Sequence, residues 1–124
     1  MKIPMPHALV VDDDEHILLF ASTVLTSVGY KVVQAPNALE ALALLDGKTK
    51  FDLLVTDLRM PFMDGSGLVS LVRQENPKLP IVIVSAYLPE MDNHDFFPKD
   101  MVVLRKPFAY QQLVDGVKQA AVIV

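Results

Sequence analysis

The stretch FDLLVTDLRMPFMDG, residues 51–65, decides the fold. An apolar run, Phe51 to Thr56, ends on one acid, Asp57, and passes into a loop of Met, Pro and Gly. A run this short and apolar predicts a strand buried on both faces. HALVVDDDEH, residues 7–16, repeats the pattern and ends on Asp12, Asp13 and Asp14. Two strand-like segments thus each deliver carboxylates at their C-terminal ends.

Working outward, further short runs rich in Val and Ile lie at Tyr30 to Ala35, Ile81 to Val84 and Met101 to Leu104. With Ala8 to Val11 and Phe51 to Thr56 they make five strands, all read as buried on both faces. Helical spacing fills the gaps. From Glu15 to Val28, apolar residues recur at Ile17, Phe20, Ala21, Val24, Leu25 and Val28, which predicts one core-facing stripe. Asp14 suits its N-cap and Gly29 its end. Asn37 suits the cap of a helix over Ala38 to Leu45, stopped by Gly47. Ser66 suits the cap of a third, which runs to about Glu75. Ala109 to Ala121 reads as the last helix. Between Leu88 and Asp100, Pro89 and Pro98 bracket MDNHDFF, so a short or irregular fourth helix is expected there. Strands alternating with helices predict an α/β fold, a doubly wound five-stranded parallel sheet flanked by helices. In such sheets the site lies beyond the carboxyl ends of the strands. Asp12, Asp13 and Asp57 fall there.

Composition narrows the function. A chain of 124 residues suits one domain, residues 1–124, and 52% hydrophobic content supplies a core. The net charge of −4 gives no support for nucleic-acid binding through phosphate neutralisation, and no nucleic-acid partner is expected. There is no cysteine, which excludes disulfides and thiolate metal sites. No run approaches the about 20 apolar residues of a membrane span, and MKIPMPH does not read as a signal peptide. A cytoplasmic protein with no membrane partner is expected.

Three carboxylates gathered at one place repel each other unless a cation sits among them. Oxygen-only donors select a hard cation, and Mg²⁺ is the usual one where phosphate is handled. One carboxylate can then act as a nucleophile and form an acyl phosphate. RKPF, residues 105–108, offers Lys106 after the last strand, and VSAY, residues 84–87, offers the Ser85 hydroxyl after the fourth. Both suit phosphoryl oxygens. Taken singly these residues have plainer uses. Asp12 to Glu15 also suit a helix N-terminus, Asp57 a turn, Lys106 a surface and Ser85 a loop. His7, His16 and His94 lack metal-ligand spacing, and the six methionines form no stripe.

The order VVDD, VTDLRMPFMDG, VSA, RKPF resembles the receiver domain of two-component response regulators, of the chemotaxis-regulator kind, over nearly the whole chain. The resemblance implies a flavodoxin-like sheet of order 2-1-3-4-5. It implies that Asp57 accepts a phosphoryl group from a histidine kinase or phosphotransfer protein. It further implies that Asp13 binds Mg²⁺ directly and Asp12 mainly through water, together with Asp57 and the Arg59 backbone carbonyl. Ser85 and Lys106 would hold phosphoryl oxygens, and Lys106-Pro107 would be cis. Such a domain is a switch with self-catalysed phosphorylation and hydrolysis, not a conventional enzyme, and its partners include a downstream protein or a second copy. Two departures stand out. Val103 occupies a position usually aromatic, and FFPKDM replaces the usual run before the last strand. Tyr87 is a candidate substitute reporter. Leu18 and Leu19 are expected to face outward on the helix that docks the phosphodonor. Two rivals remain open: a degenerate receiver that only binds protein, and an aspartyl-phosphate phosphatase for which Asp12 and Asp14 would form a DxD pair.

Overall fold

The computed structural model describes residues 4–60, 63–86 and 100–123. In chain order the elements are β1 His7–Val11, α1 Glu15–Ser27, β2 Lys31–Ala35, α2 Ala38–Leu45, β3 Leu53–Asp57, α3 Gly65–Glu75, β4 Ile81–Ser85, β5 Val102–Arg105 and α4 Tyr110–Ile123. The strands pair in parallel in the order β2-β1-β3-β4-β5. This is the flavodoxin-like order that the resemblance implied. The short or irregular helix expected over Leu88–Asp100, the Tyr87 reporter and His94 lie outside the described residues, apart from Asp100 itself.

The mostly apolar character of the strands has a direct cause. Alternate residues point to opposite faces, and both faces are covered. Leu9, Val11, Leu54, Ile81 and Ile83 enter one core, against α2 and α3. Ala8, Val10, Leu53, Val55 and Val82 enter another, against α1 and α4. Each fully buried Leu, Ile or Val is worth about 1.5–3 kcal/mol relative to exposure, so the central strands hold the sheet. The expectation that all five strands are buried on both faces fails at the edges. Both β2 and β5 carry half-buried and exposed positions, because each has a neighbour on one side only.

Local chemistry sets the helix ends. The Asp14 side chain accepts the His16 N–H at 2.8 Å, and Asn37 accepts that of Glu40 at 2.9 Å. Gly29 closes α1 with φ +102°, a conformation that other residues rarely adopt. At α4 the Gln112 side chain reaches back to the Ala109 N–H at 2.7 Å, half of a capping box. Ser66 is not the cap of α3. The helix begins at Gly65, and its entry is set by a backbone bond, Gly65 N–H to Leu58 O at 2.7 Å.

The reading of α1 also needs correction. Leu18 is buried at 7% exposure, whereas Leu19 is 65% exposed as expected. Phe20, expected in the core, is 39% exposed and tilts its ring against Phe108 with centroids 5.7 Å apart. The inward stripe is Leu18, Ala21, Val24 and Leu25. Since α1 must seat against both the sheet and α4, its rotation is fixed by what it packs on. The spacing of its own apolar residues leaves that angle open.

Candidate functional site

β1 and β3 are neighbours, although β2 separates them in sequence. This is the switch point of the sheet. Val11 stands opposite Thr56 in the register, so the residues that follow, Asp12 and Asp57, emerge side by side. Asp12 is fully buried and Asp57 is 6% exposed, while Asp13 is exposed. One carboxylate oxygen from each of the three lies within 4.8 Å of the others.

Lys106 answers this charge. Its Nζ lies 2.8 Å from Asp12 Oδ2 and donates to Asp57 Oδ2 at 3.1 Å. Pairing by distance is not full satisfaction. Asp12 Oδ2 is buried and completes no hydrogen bond, so what faces it is the ion pair with Lys106. Its partner oxygen, Oδ1, accepts the Asp14 N–H at 2.9 Å. Burial raises the Asp12 carboxyl above its ordinary value. Lys106 and the Asp14 amide oppose that rise, and the Asp57 charge adds to it. For Lys106, burial acts to lower the pKa, but the two carboxylates outweigh it and hold the ammonium above its usual value.

Asp57 is gripped from its own backbone. Its Oδ1 accepts the Leu58 N–H at 2.7 Å and the Arg59 N–H at 3.4 Å, which leaves Oδ2 facing Lys106. Ser85, 1% exposed, ends β4 one residue past Val84, the register partner of Asp57. Its carbonyl accepts the Lys106 N–H at 2.6 Å. Lys106-Pro107 is cis. Asp12, Asp13, Asp57, Ser85 and Lys106 therefore meet at one sheet edge, and Arg59 lies in the loop beside them.

Three carboxylates whose oxygens lie within 4.8 Å of one another, two of them buried and one oxygen completing no hydrogen bond, fit a hard divalent cation. Among the described residues the three carboxylates outnumber the one lysine that faces them, so an added cation relieves repulsion.

Two contributors escape a sequence reading. Gly65 looks like a turn residue, but its role is close approach. A Cβ there would stand 2.0 Å from the Asp57 carbonyl oxygen. Thr56 hides within the apolar run, yet it is fully buried and its hydroxyl donates to the Asp57 carbonyl at 2.9 Å. One hydroxyl in an apolar strand beside an acid was the available signal. Val103 is half-buried against the core under α2 and α3.

Comparison with known proteins agrees with this geometry. The family model for the response regulator receiver domain matches residues 8–118. The transcriptional regulatory protein GlrR of Escherichia coli is 41% identical over 81 residues, 65% of this chain. That match covers 18% of GlrR, so the chain spans a small part of this relative. A response regulator receiver protein from Sinorhizobium medicae superposes with a TM-score of 0.87 at 27% identity, over 97% of both chains. The response regulator protein TrrA of Thermotoga maritima, solved in complex with Mg²⁺–BeF, superposes with a TM-score of 0.80 at 27% identity. That superposition covers 94% of this chain and 99% of the other.

Proposed function

This chain belongs to the response regulator receiver family, and from that premise we propose that it is a Mg²⁺-dependent phosphoacceptor whose Asp57 takes a phosphoryl group from a histidine kinase or phosphotransfer protein. The observation that carries the reading is the convergence of Asp12, Asp13 and Asp57 oxygens within 4.8 Å, with Lys106 bridging Asp12 and Asp57. The Thermotoga relative was solved with magnesium and beryllofluoride, which supports the same ligand class here.

The chemistry follows from the two oxygens of Asp57. Oδ1 is held by backbone N–H groups, so Oδ2 is the oxygen available to attack phosphorus. The new O–P bond forms as the P–N bond to the donor histidine breaks, and the imidazole leaves with the electron pair. Lys106, already beside Oδ2, pairs with a phosphoryl oxygen, and the Ser85 hydroxyl donates to another. Mg²⁺, held by Asp12, Asp13, Asp57 and the Arg59 carbonyl, would neutralise the charge gathering on the phosphoryl oxygens. Hydrolysis returns Asp57: water attacks phosphorus and the acyl phosphate O–P bond breaks. The consumed and regenerated acid makes this a switch, whose state is passed to a downstream protein or a second copy of the domain. A cytoplasmic setting suits that role, and among the described residues no helix is long and apolar enough to cross a membrane.

The test is intact-protein mass after incubation with phosphoramidate or acetyl phosphate and Mg²⁺. The wild type should gain one phosphate, and Asp57→Asn or removal of Mg²⁺ should abolish the gain. No gain from these donors or from a phosphohistidine protein would overturn the reading in favour of a domain that only binds protein.

A further inference from the structure

Among the described residues four polar or charged side chains are buried: Asp12, Thr56, Asp57 and Ser85. Asp12, Asp57 and Ser85 serve the phosphoacceptor site. Thr56 has no such role, and a fully buried hydroxyl needs a reason. Its bond partner supplies one. The Oγ1 donates to the carbonyl of Asp57, the adjoining residue. That carbonyl and the Leu58 N–H are the two ends of one planar peptide unit. At the far end, the same unit holds Asp57 Oδ1 through the Leu58 N–H at 2.7 Å. Any rotation of the plane that tips the carbonyl also swings the N–H that grips the carboxylate.

Gly65 closes the other side of this unit. Its missing side chain lets α3 reach the Asp57 carbonyl, and its N–H donates to Leu58 O at 2.7 Å. The peptide plane is therefore bounded by a hydroxyl and by the first turn of α3. The orientation of Oδ2 toward Lys106 is what remains once Oδ1 is fixed.

We infer that Thr56 is a positioning residue for phosphoryl transfer, its hydroxyl locking the Asp57–Leu58 peptide plane and through it the nucleophilic carboxylate. This rests on Asp57 being the phosphoacceptor. Thr56 touches no reacting atom. It acts by holding Asp57 in attack geometry, where small misplacements carry large rate costs.

Thr56→Val keeps the shape and removes the hydroxyl, while Thr56→Ser keeps the hydroxyl and removes a methyl. Phosphorylation by phosphoramidate should slow about tenfold or more in Thr56→Val and stay near the wild-type rate in Thr56→Ser. A merely structural role is separated by a second readout, the amide resonance of Leu58 in metal-free protein. The hydrogen bond to Oδ1 shifts it downfield, and it should move upfield in Thr56→Val alone. Thr56→Ala serves as the hydroxyl-free variant if Thr56→Val does not fold. An unchanged rate or an unchanged Leu58 resonance in the hydroxyl-free variant would overturn the inference. So would equal losses in Thr56→Ser. If the wild type accepted no phosphate, the assignment of Asp57 would fall, and the Leu58 resonance would still report on the peptide plane.

Discussion

Two strands bring charge to the same edge of the sheet, β3 ending on Asp57 and β5 leading into Lys106, and they hold it differently. β3 is buried along its whole length between two neighbours. Around Asp57, the Leu58 and Arg59 amides, the Thr56 hydroxyl and the Gly65 backbone all converge. β5 lies at the sheet edge and is half open. Lys106 is held by one backbone bond to Ser85 and by the two carboxylates it neutralises. The beginning of β5 is tied down separately. Arg73 of α3 pairs with Asp100 at 2.6 Å and donates to the Leu79 carbonyl at 2.6 Å. The contrast teaches a division of labour. The acid is fixed by covalent neighbours and backbone, whereas its lysine partner is fixed by charge.

The hardest way to break this comparison is Gly65→Ala. The added methyl would meet backbone, which cannot move aside as a side-chain tip can. A loss of about 2 kcal/mol or more in urea unfolding is expected, with slower phosphorylation of Asp57. Gly116→Ala in α4 is the control. Its Cβ would meet Leu104 and Val102 side chains at 3.4 Å, and helix propensity favours alanine, so stability should change by less than about 1 kcal/mol. Equal effects at the two glycines would remove the claim that the β3 end is specially constrained.

Next in size is Arg73→Met, which removes the ion pair with Asp100 and leaves the Asn76, Leu79 and Asp100 carbonyls without their charged donor. About 2 kcal/mol of stability should go, read by the same unfolding experiment. Phosphorylation of Asp57 should hold near the wild-type rate, because the damage lies at the start of β5. A rate loss as large as that of Gly65→Ala would merge the two regions into one.

The smallest effect sharpens the electrostatic side. Asp12 has a folded pKa above its unfolded value, mainly through burial. The folded state thus binds more protons than the unfolded state between those values, and metal-free stability falls as pH rises through that window. Asp12→Asn should flatten this slope and raise the metal-free melting temperature at neutral pH. It should also remove much of the stabilisation that Mg²⁺ gives the wild type, since ligand that binds only the folded state stabilises it by mass action. Melting curves with and without Mg²⁺ across pH check both signs. A lower metal-free melting temperature for Asp12→Asn would show the Lys106 pairing to outweigh burial.

Much of this was legible in the chain, for local reasons. Asp14 and Asn37 cap their helices because a short polar side chain reaches an amide two or three residues ahead. Edge exposure in β2 and β5 was not legible in the runs themselves, because a strand does not encode its number of neighbours; only the implied order 2-1-3-4-5 put both at the edges. The orientation of α1 was misread at Leu18 and Phe20, since both fall near the boundary of the apolar stripe, where packing against α4 decides.

By itself the sequence determined the alternation of strands and helices, the acids at two strand ends, and the lysine and serine at two others. These follow from side-chain period and capping, which act within one element. Only the tertiary structure decided which oxygen of Asp57 faces Lys106, how far α3 approaches the Asp57 carbonyl, and what the Thr56 hydroxyl holds. The Lys106–Asp57 contact joins residues 49 apart in the chain. Such contacts depend on strand order and register, which are set when the whole sheet buries both faces together.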